Sequence, residues 1–272
     1  MYTPAEVMNN YADTGAKKAG YPVWRLLLMG AFAGFVIGMG AAVANTATFA
    51  LASNASVSRV VAGLLFPFGL GIIMLTGMEL FTGNCLICVS VLEKKASVAG
   101  MLRNWLFVYA GNFIGAFALA AGHAYSKQLG LSDGALAAYT IKTAAYKCGL
   151  SFGQALILGI LCNIMVCLGV LVSLAAKDAA GRIIGAFIPI AFFIICGYEH
   201  SVADMYYVAA GLLANSIAGY ADIAAKAGVD ASGLTVTNFL FKSLLPVTLG
   251  NMIGGVGVGA AMWAAHLKKN KN

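Results

Sequence analysis

Gly77-Met78-Glu79-Leu80-Phe81-Thr82-Gly83-Asn84 and Gly197-Tyr198-Glu199-His200-Ser201-Val202-Ala203-Asp204 are the two stretches on which the fold of this chain turns. Both read Gly, any residue, Glu, four residues, then an amide or a carboxylate, and both interrupt long apolar runs. A carboxylate in hydrocarbon is costly and is tolerated where it faces protein or a watery cavity. Paired interruptions of hydrophobic segments in corresponding halves mark the binding sites of membrane transporters. The pair therefore points to a membrane permeation path.

Composition agrees. Of 272 residues, 61% are hydrophobic and 10% charged, against a charged share of about 25% in soluble domains. Charged residues bound six long uncharged stretches: Arg25 to Arg59, Arg59 to Glu79, Arg103 to Lys127, Lys147 to Lys177, Arg182 to Glu199 and Lys242 to Lys268. About 20 helical residues cross a bilayer, so six spans are expected. From Val60 to Leu92 an unbroken helix would reach roughly 50 Å, against a hydrocarbon core about 30 Å thick. Span two must therefore bend or break, and Gly77 to Asn84 is the weakest place. Span five breaks by analogy between Gly197 and Asp204.

An even number of spans puts both termini on one side, with Lys17, Lys18, Arg25, Lys94, Lys95, Arg103, Lys177, Arg182, Lys268, Lys269 and Lys271. The other side has Arg59, Lys127, Lys142, Lys147, Lys226 and Lys242. The excess of Lys and Arg on the first side predicts cytoplasmic termini and a multi-pass inner-membrane protein. The net charge of +7 is thereby topological and predicts no nucleic-acid partner. Residues 1–24 hold Glu6 and Asp13 and lack an apolar run, which argues against a signal peptide. They read as an interfacial helix opened by a Thr3/Glu6 capping box with Pro4 at its first position. Ser132 to Tyr146 reads as a capped amphipathic piece on the outer surface.

A second phrase also repeats: Gly111-Asn112-Phe113-Ile114-Gly115 in span three and Gly250-Asn251-Met252-Ile253-Gly254 in span six. Each half, 25–126 and 149–267, is then a span, a broken span with a Glu, and a span with Gly-Asn-x-Ile-Gly. Because three is odd, similar halves insert in opposite orientations. The fold expected is an all-α, six-span inverted 3+3 repeat in one domain, 1–272. Gly30, Gly34 and Gly38, with Gly250, Gly254, Gly255 and Gly259, have the small-xxx-small spacing of tight helix pairs.

His200 is the only His away from a span end, and its place in a predicted break favours function over plain packing. His123 and His266 sit where an imidazole reaches interfacial water. Glu79 and Glu199 read as supports, each carboxylate accepting from backbone N–H groups stranded by the break, with a proton relay as the other reading. Thr82, in a predicted gating loop, can both donate and accept. Position alone makes Lys147 an interfacial snorkeler or, as a pore-mouth cation, an attractor of anions. Asn163, Asn112 and Asn251 can bond between helices. Cys85 and Cys88 form a Cys-x-x-Cys without a βαβ setting or further Cys and His ligands, so neither metal nor cofactor is predicted. The six Cys read as small apolar residues.

These residues together resemble the formate/nitrite transporter family: Glu79 to Asn84, the Glu199-His200 pair, Lys147, Asn163 and Gly250-Asn251, within a likeness running from about Tyr2 to the C terminus. The resemblance implies an aquaporin-like protomer in a homopentamer, with one path for a small monovalent anion through each protomer. It implies His200 at the pathway centre, Thr82 in the mobile loop of span two, Lys147 at the outer vestibule, and Asn163 and Asn251 as polar partners around the His. Phe66, Leu70, Leu80, Phe81 and Phe193 match its apolar constrictions. Glu79, Glu199, Asn84, Asp204 and Asn112 are left as supports of the breaks. The chain looks most similar to the clostridial hydrosulfide channel branch, so hydrosulfide is the expected permeant, with formate and nitrite beside it. An aquaporin-type water or glycerol channel would carry Asn-Pro-Ala at the breaks, and no Pro here follows an Asn. A membrane redox subunit would need paired His ligands or a second thiol pair, which the sequence lacks.

Overall fold

Inside a bilayer no water satisfies backbone groups, so a spanning chain must bond them within itself. The computed structural model describes residues 1–51 and 53–268, and among these it has helices and no strand. In chain order the helices are α1 (Pro4–Ala19), α2 (Val23–Thr48), α3 (Ala55–Leu65), α4 (Phe68–Thr76), α5 (Phe81–Asn84), α6 (Cys88–Leu92), α7 (Val98–Tyr125), α8 (Ala135–Gly149), α9 (Phe152–Ala175), α10 (Ala179–Cys196), α11 (Ser201–Asn215), α12 (Ala218–Lys226), α13 (Val236–Asn238) and α14 (Leu245–His266). A π-helical stretch, Phe239–Leu244, joins α13 to α14. Lys269 and Lys271, used above for orientation, and the end of the domain assigned to 1–272 lie outside the described residues.

Six helical runs are long and apolar enough to cross a membrane: Val23–Leu51, Ala55–Thr76, Val98–Tyr125, Phe152–Ala175, Ala179–Cys196 and Val236–His266. The second continues past a break as α5 and α6, and the fifth continues past a break as α11. The protein is thus an all-α membrane protein of six spans in an aquaporin-like inverted 3+3 repeat, with spans two and five broken. Their outer faces are apolar, with Leu64, Leu106, Ile157, Ile184 and Phe241 all exposed, as a hydrocarbon solvent requires.

Lipid is as apolar as Leu, so helices associate in it through close packing. In the first half α2 meets α7 at glycines: a Cβ on Gly30 would lie 2.9 Å from the Val108 carbonyl oxygen, and one on Gly111 2.6 Å from that of Leu27. In the second half α9 meets α14 likewise, with a Cβ on Gly159 falling 2.8 Å from the Val247 carbonyl oxygen.

The equivalence of the halves begins one helix earlier than 25–126 and 149–267. α1 precedes α2 as α8 precedes α9, and each carries a lysine near its end, Lys18 and Lys147. Thr3 and Glu6 form the expected capping box on α1. The Thr3 N–H and hydroxyl hold the exposed Glu6 carboxyl below its ordinary range. The cap's contribution is therefore present above the ordinary carboxylate range and is lost as pH falls through that lowered value.

The segment Ser132 to Tyr146 departs from expectation. Ser132 and Asp133 are left-handed rather than capping, and α8 starts from Gly134 with no side-chain cap. α8 buries Leu136, Ala137, Ile141, Ala144 and Lys147, packing against α11 instead of lying on the surface. His123 is also drawn inward, its Nδ1 2.8 Å from the Tyr206 hydroxyl.

A Cβ on Gly115 would collide with the Ala31 carbonyl, whereas one on Gly122 would meet open space. Overpacking costs about 1–3 kcal/mol even against side chains. Gly115→Ala should lower the thermal midpoint in detergent by several degrees while Gly122→Ala leaves it within about a degree; equal tolerance would contradict this packing.

Candidate functional site

Two interruptions build the site, and they are built alike. α4 ends on Gly77 at φ 71° and α10 ends on Gly197 at φ 74°, left-handed conformations that glycine adopts without strain. The chain then runs extended to Leu80 and His200, and new helices start at Phe81 and Ser201. The breaks, Gly77 to Leu80 and Gly197 to His200, are shorter than expected. Asn84 and Asp204 lie within the helices that follow.

A restarted helix has N–H groups without partners. Asn112 Oδ1 accepts from Phe81 N–H at 2.9 Å, and its Nδ2 donates to the Gly30 and Glu79 carbonyls at 2.8 and 2.9 Å. Asn251 Oδ1 accepts from Ser201 N–H at 3.0 Å, and its Nδ2 donates to the Gly159 and Glu199 carbonyls at 2.8 and 3.1 Å. The Glu79 and Glu199 N–H groups donate to the Met29 and Leu158 carbonyls. One amide thus ties each break to both neighbouring spans.

This geometry corrects the reading of the two glutamates. Their carboxylates do not accept from stranded N–H groups; their peptide groups bond to the Asn amides and the neighbouring helix, and the carboxylates face lysines. Lys18 Nζ lies 3.3 Å from Glu79 Oε1 and donates to Asn84 Oδ1 at 2.9 Å. Lys147 Nζ lies 2.6 Å from Glu199 Oε2 and 2.7 Å from Asp204 Oδ1. Lys147 is therefore no snorkeler: it is buried, because two buried carboxylates hold it. A buried charge persists when paired and hydrogen-bonded.

His200 lies at the second break. Its Nδ1 accepts from Ala203 N–H at 3.1 Å, capping α11, and its Nε2 lies 2.9 Å from Thr82 Oγ1. With Nδ1 an acceptor, the neutral ring carries its proton on Nε2 and donates to Thr82. The backbone around Thr82 is held from several sides. Asn163 Nδ2 and Cys167 Sγ donate to the Thr82 carbonyl, the Tyr11 hydroxyl to that of Gly83, and Trp105 Nε1 to that of Asn84.

Three cavities share walls here. A central one of about 10 Å³ is lined by Ile37, Phe66, Leu70, Leu80, Val166, Ile190, Phe193 and His200. Phe193 and His200 also line a vestibule of about 220 Å³ that contains Lys147 and Glu199. Leu70 and Leu80 also line a vestibule of about 150 Å³ that contains Lys18 and Asn84. The central space is barely that of one water. Leu80 and His200, equivalent in the repeat, both line it.

Not every predicted residue gathers here. Phe81 turns away to pack its ring edge-on against Tyr109 and Trp105, with centroids 4.9 and 6.2 Å apart. Asn251 is the mate of Asn112 in the second break and does not bond His200; Asn163 bonds the carbonyls of Thr82 and Asn251 instead of the imidazole. Lys18, Asn104 and Trp105 were not picked out from sequence. Asn104 bonds Asn84 and the Lys18 carbonyl, and its place two turns before Asn112 on one helix was a usable signal. The thiols of Cys85 and Cys88 donate to the Phe81 and Val256 carbonyls.

The formate/nitrite transporter family model matches residues 5–265. The chain belongs to that family. It is 31% identical to a probable formate transporter of Methanothermobacter thermautotrophicus, over 98% of each chain. It is 33% identical to the formate channel FocA of Haemophilus influenzae, over 93% of this chain and 90% of that one. A solved pentameric formate channel with formate bound superposes with a TM-score of 0.80 at 30% identity, covering 90% of this chain and 98% of that one. These relatives are transporters and channels, and this member of the formate/nitrite transporter family is a membrane transporter rather than an enzyme.

Replacing Asn112 or Asn251 with Leu strands two backbone groups at a break, the N–H that opens the new helix and the glutamate carbonyl before it, each costing about 1–3 kcal/mol when buried and unpaired. Both variants should lose detergent stability to a similar degree and show faster amide exchange at Phe81 or Ser201 respectively. Loss in only one of them would contradict the equivalence of the breaks.

Proposed function

We propose that the chain is a channel or proton-coupled uniporter for small monovalent anions, with one path through each protomer of a homopentamer. The observation that carries this reading is a row of three cavities that share lining residues: a vestibule with Lys147 in its wall, a constriction of about 10 Å³ lined by His200, whose ring bonds Thr82, and a second vestibule with Lys18 in its wall. The same reading takes 1–24 as a cytoplasmic segment, 25–126 and 149–267 as the spanning halves of one domain, and both termini as cytoplasmic in the cell membrane.

Basic groups in the vestibules offset the cost of bringing an anion out of water. Phe66, Leu70, Leu80 and Phe193 penalise the bare charge in the constriction and so favour its neutral conjugate acid. His200 Nε2–H is the donor that meets the anion there, and the Thr82 hydroxyl stands beside it as a second polar contact. Thr82 and His200 are thus the polar contacts of this proposal, Lys147 a paired charge in the vestibule wall, and Asn112, Asn251, Glu79, Glu199, Asn84 and Asp204 the framework. Asn163 steadies the Thr82 loop.

The substrate class comprises weak-acid anions small enough for the constriction. Hydrosulfide suits it because its neutral acid is accessible near neutral pH, and formate is supported by likeness to proteins named for formate. Nitrite is the remaining candidate. Proteoliposomes challenged with all three anions at two pH values provide the test. Parent protein should carry at least one of them well above the lipid background, and His200→Asn should lower that flux about tenfold or more and flatten its pH dependence, general acid–base contributions being ~10²–10⁴-fold. Unchanged flux and pH dependence in His200→Asn would remove His200 from the centre of the path.

A further inference from the structure

Lys147 is the obvious anion contact of the larger vestibule, yet its ammonium is already matched by the Glu199 and Asp204 carboxylates at 2.6 and 2.7 Å. It also stands 5.0 Å over the Tyr207 ring. An incoming anion would have to displace a buried carboxylate to reach it. Two other groups in the wall of the same cavity, Arg59 and Asn45, are uncommitted. Arg59 is exposed, forms no ion pair among the described residues, and spends one donor, Nη1, on the Ile195 carbonyl at 3.1 Å. Asn45 is only 6% exposed, and its Nδ2 has no hydrogen-bond partner. A buried donor without a partner is uncommon in a native structure and calls for an explanation.

The wall makes room for the arginine. A Cβ on Gly197 would collide with the Arg59 guanidinium, so the left-handed glycine that ends α10 also seats Arg59 at the mouth of the vestibule. Arg59 there caps a last-turn carbonyl of α10, where a cation is favoured, with its remaining donors free.

Building on the function proposed above, we propose that Arg59 and Asn45 form an anion-capture subsite in the Lys147 vestibule, selective for planar oxyanions of the carboxylate or nitrite type. A guanidinium presents a flat fork that meets two oxygens at once, and the Asn45 amide, whose Nδ2 is enclosed and unpartnered, gives a further donor when its side chain turns into the cavity it lines. Hydrosulfide has one acceptor atom and cannot set a separate acceptor against each prong. The smaller vestibule has Lys18 and Asn84 in its wall and no arginine, so the selectivity belongs to one face.

The test is initial-rate formate uptake in right-side-out and inverted membrane vesicles, which present opposite faces, with hydrosulfide as the comparison anion. Arg59→Gln should raise the formate KM about tenfold from the Lys147 face and leave it within about twofold from the other. Arg59→Lys keeps the charge without the fork. It should raise the formate KM several-fold from the Lys147 face while leaving that for hydrosulfide unchanged, the signature of bidentate pairing over simple charge. Asn45→Ala should raise the formate KM from the same face with maximal flux retained. An unchanged KM in Arg59→Gln, or an equal rise from both faces, would overturn the subsite. Parent vesicles that carry none of formate, hydrosulfide and nitrite would overturn the proposed function itself, and the two failures are thereby distinct.

Discussion

A peptide group released from a helix within a bilayer must find its partner in protein, since unmet groups there cost several kcal/mol each. Everything at the centre of this molecule depends on how that constraint is met. Two side-chain amides, of Asn112 and Asn251, bond the N–H that opens each restarted helix and the carbonyl just before it. Each also reaches the carbonyl of a glycine, Gly30 or Gly159, on the neighbouring span. Those glycines sit where helices approach within reach of each other's backbone. Close packing and broken helices are therefore one device: without small residues the amide would not reach, and without the amide the break would close or unfold.

Once the breaks are stable, what faces the centre is decided by single residues. Leu80 and His200 stand at the same place in the two halves and line the same small cavity. Thr82 has Val202 as its counterpart, so the hydrogen bond between Thr82 and His200 joins the two breaks without a mate in the repeat. The periphery diverges too. Lys18 faces one carboxylate and one amide, whereas Lys147 faces two carboxylates. The scaffold is nearly symmetric and its chemistry is not.

How much of this was legible in sequence follows from what contrasts with its surroundings. Glu79, Asn112, Glu199, His200 and Asn251 stand out because polar groups in apolar runs are rare, and their repetition in order exposed the inverted fold. Lys18 lies in a polar helix where a lysine is ordinary, so its charge served only to orient the chain. The partners of Lys147 lie 52 and 57 residues further on, beyond any local pattern. Phe81 was misplaced because a break resets the rotation of the helix that follows, so spacing could not tell which ring faces the cavity. The family resemblance implies Asn251 beside the imidazole; only the geometry shows that its hydrogen-bonding capacity is used on backbone.

The central claim is that the two breaks bring Thr82 and His200 together as one functional unit. A double-mutant cycle on anion flux in proteoliposomes measures it directly, with Thr82→Val, His200→Asn and the pair. If the side chains act through one hydrogen bond, the double variant will be scarcely worse than the more damaging single one. Effects that multiply independently would show that the bond between the breaks is not what the path depends on.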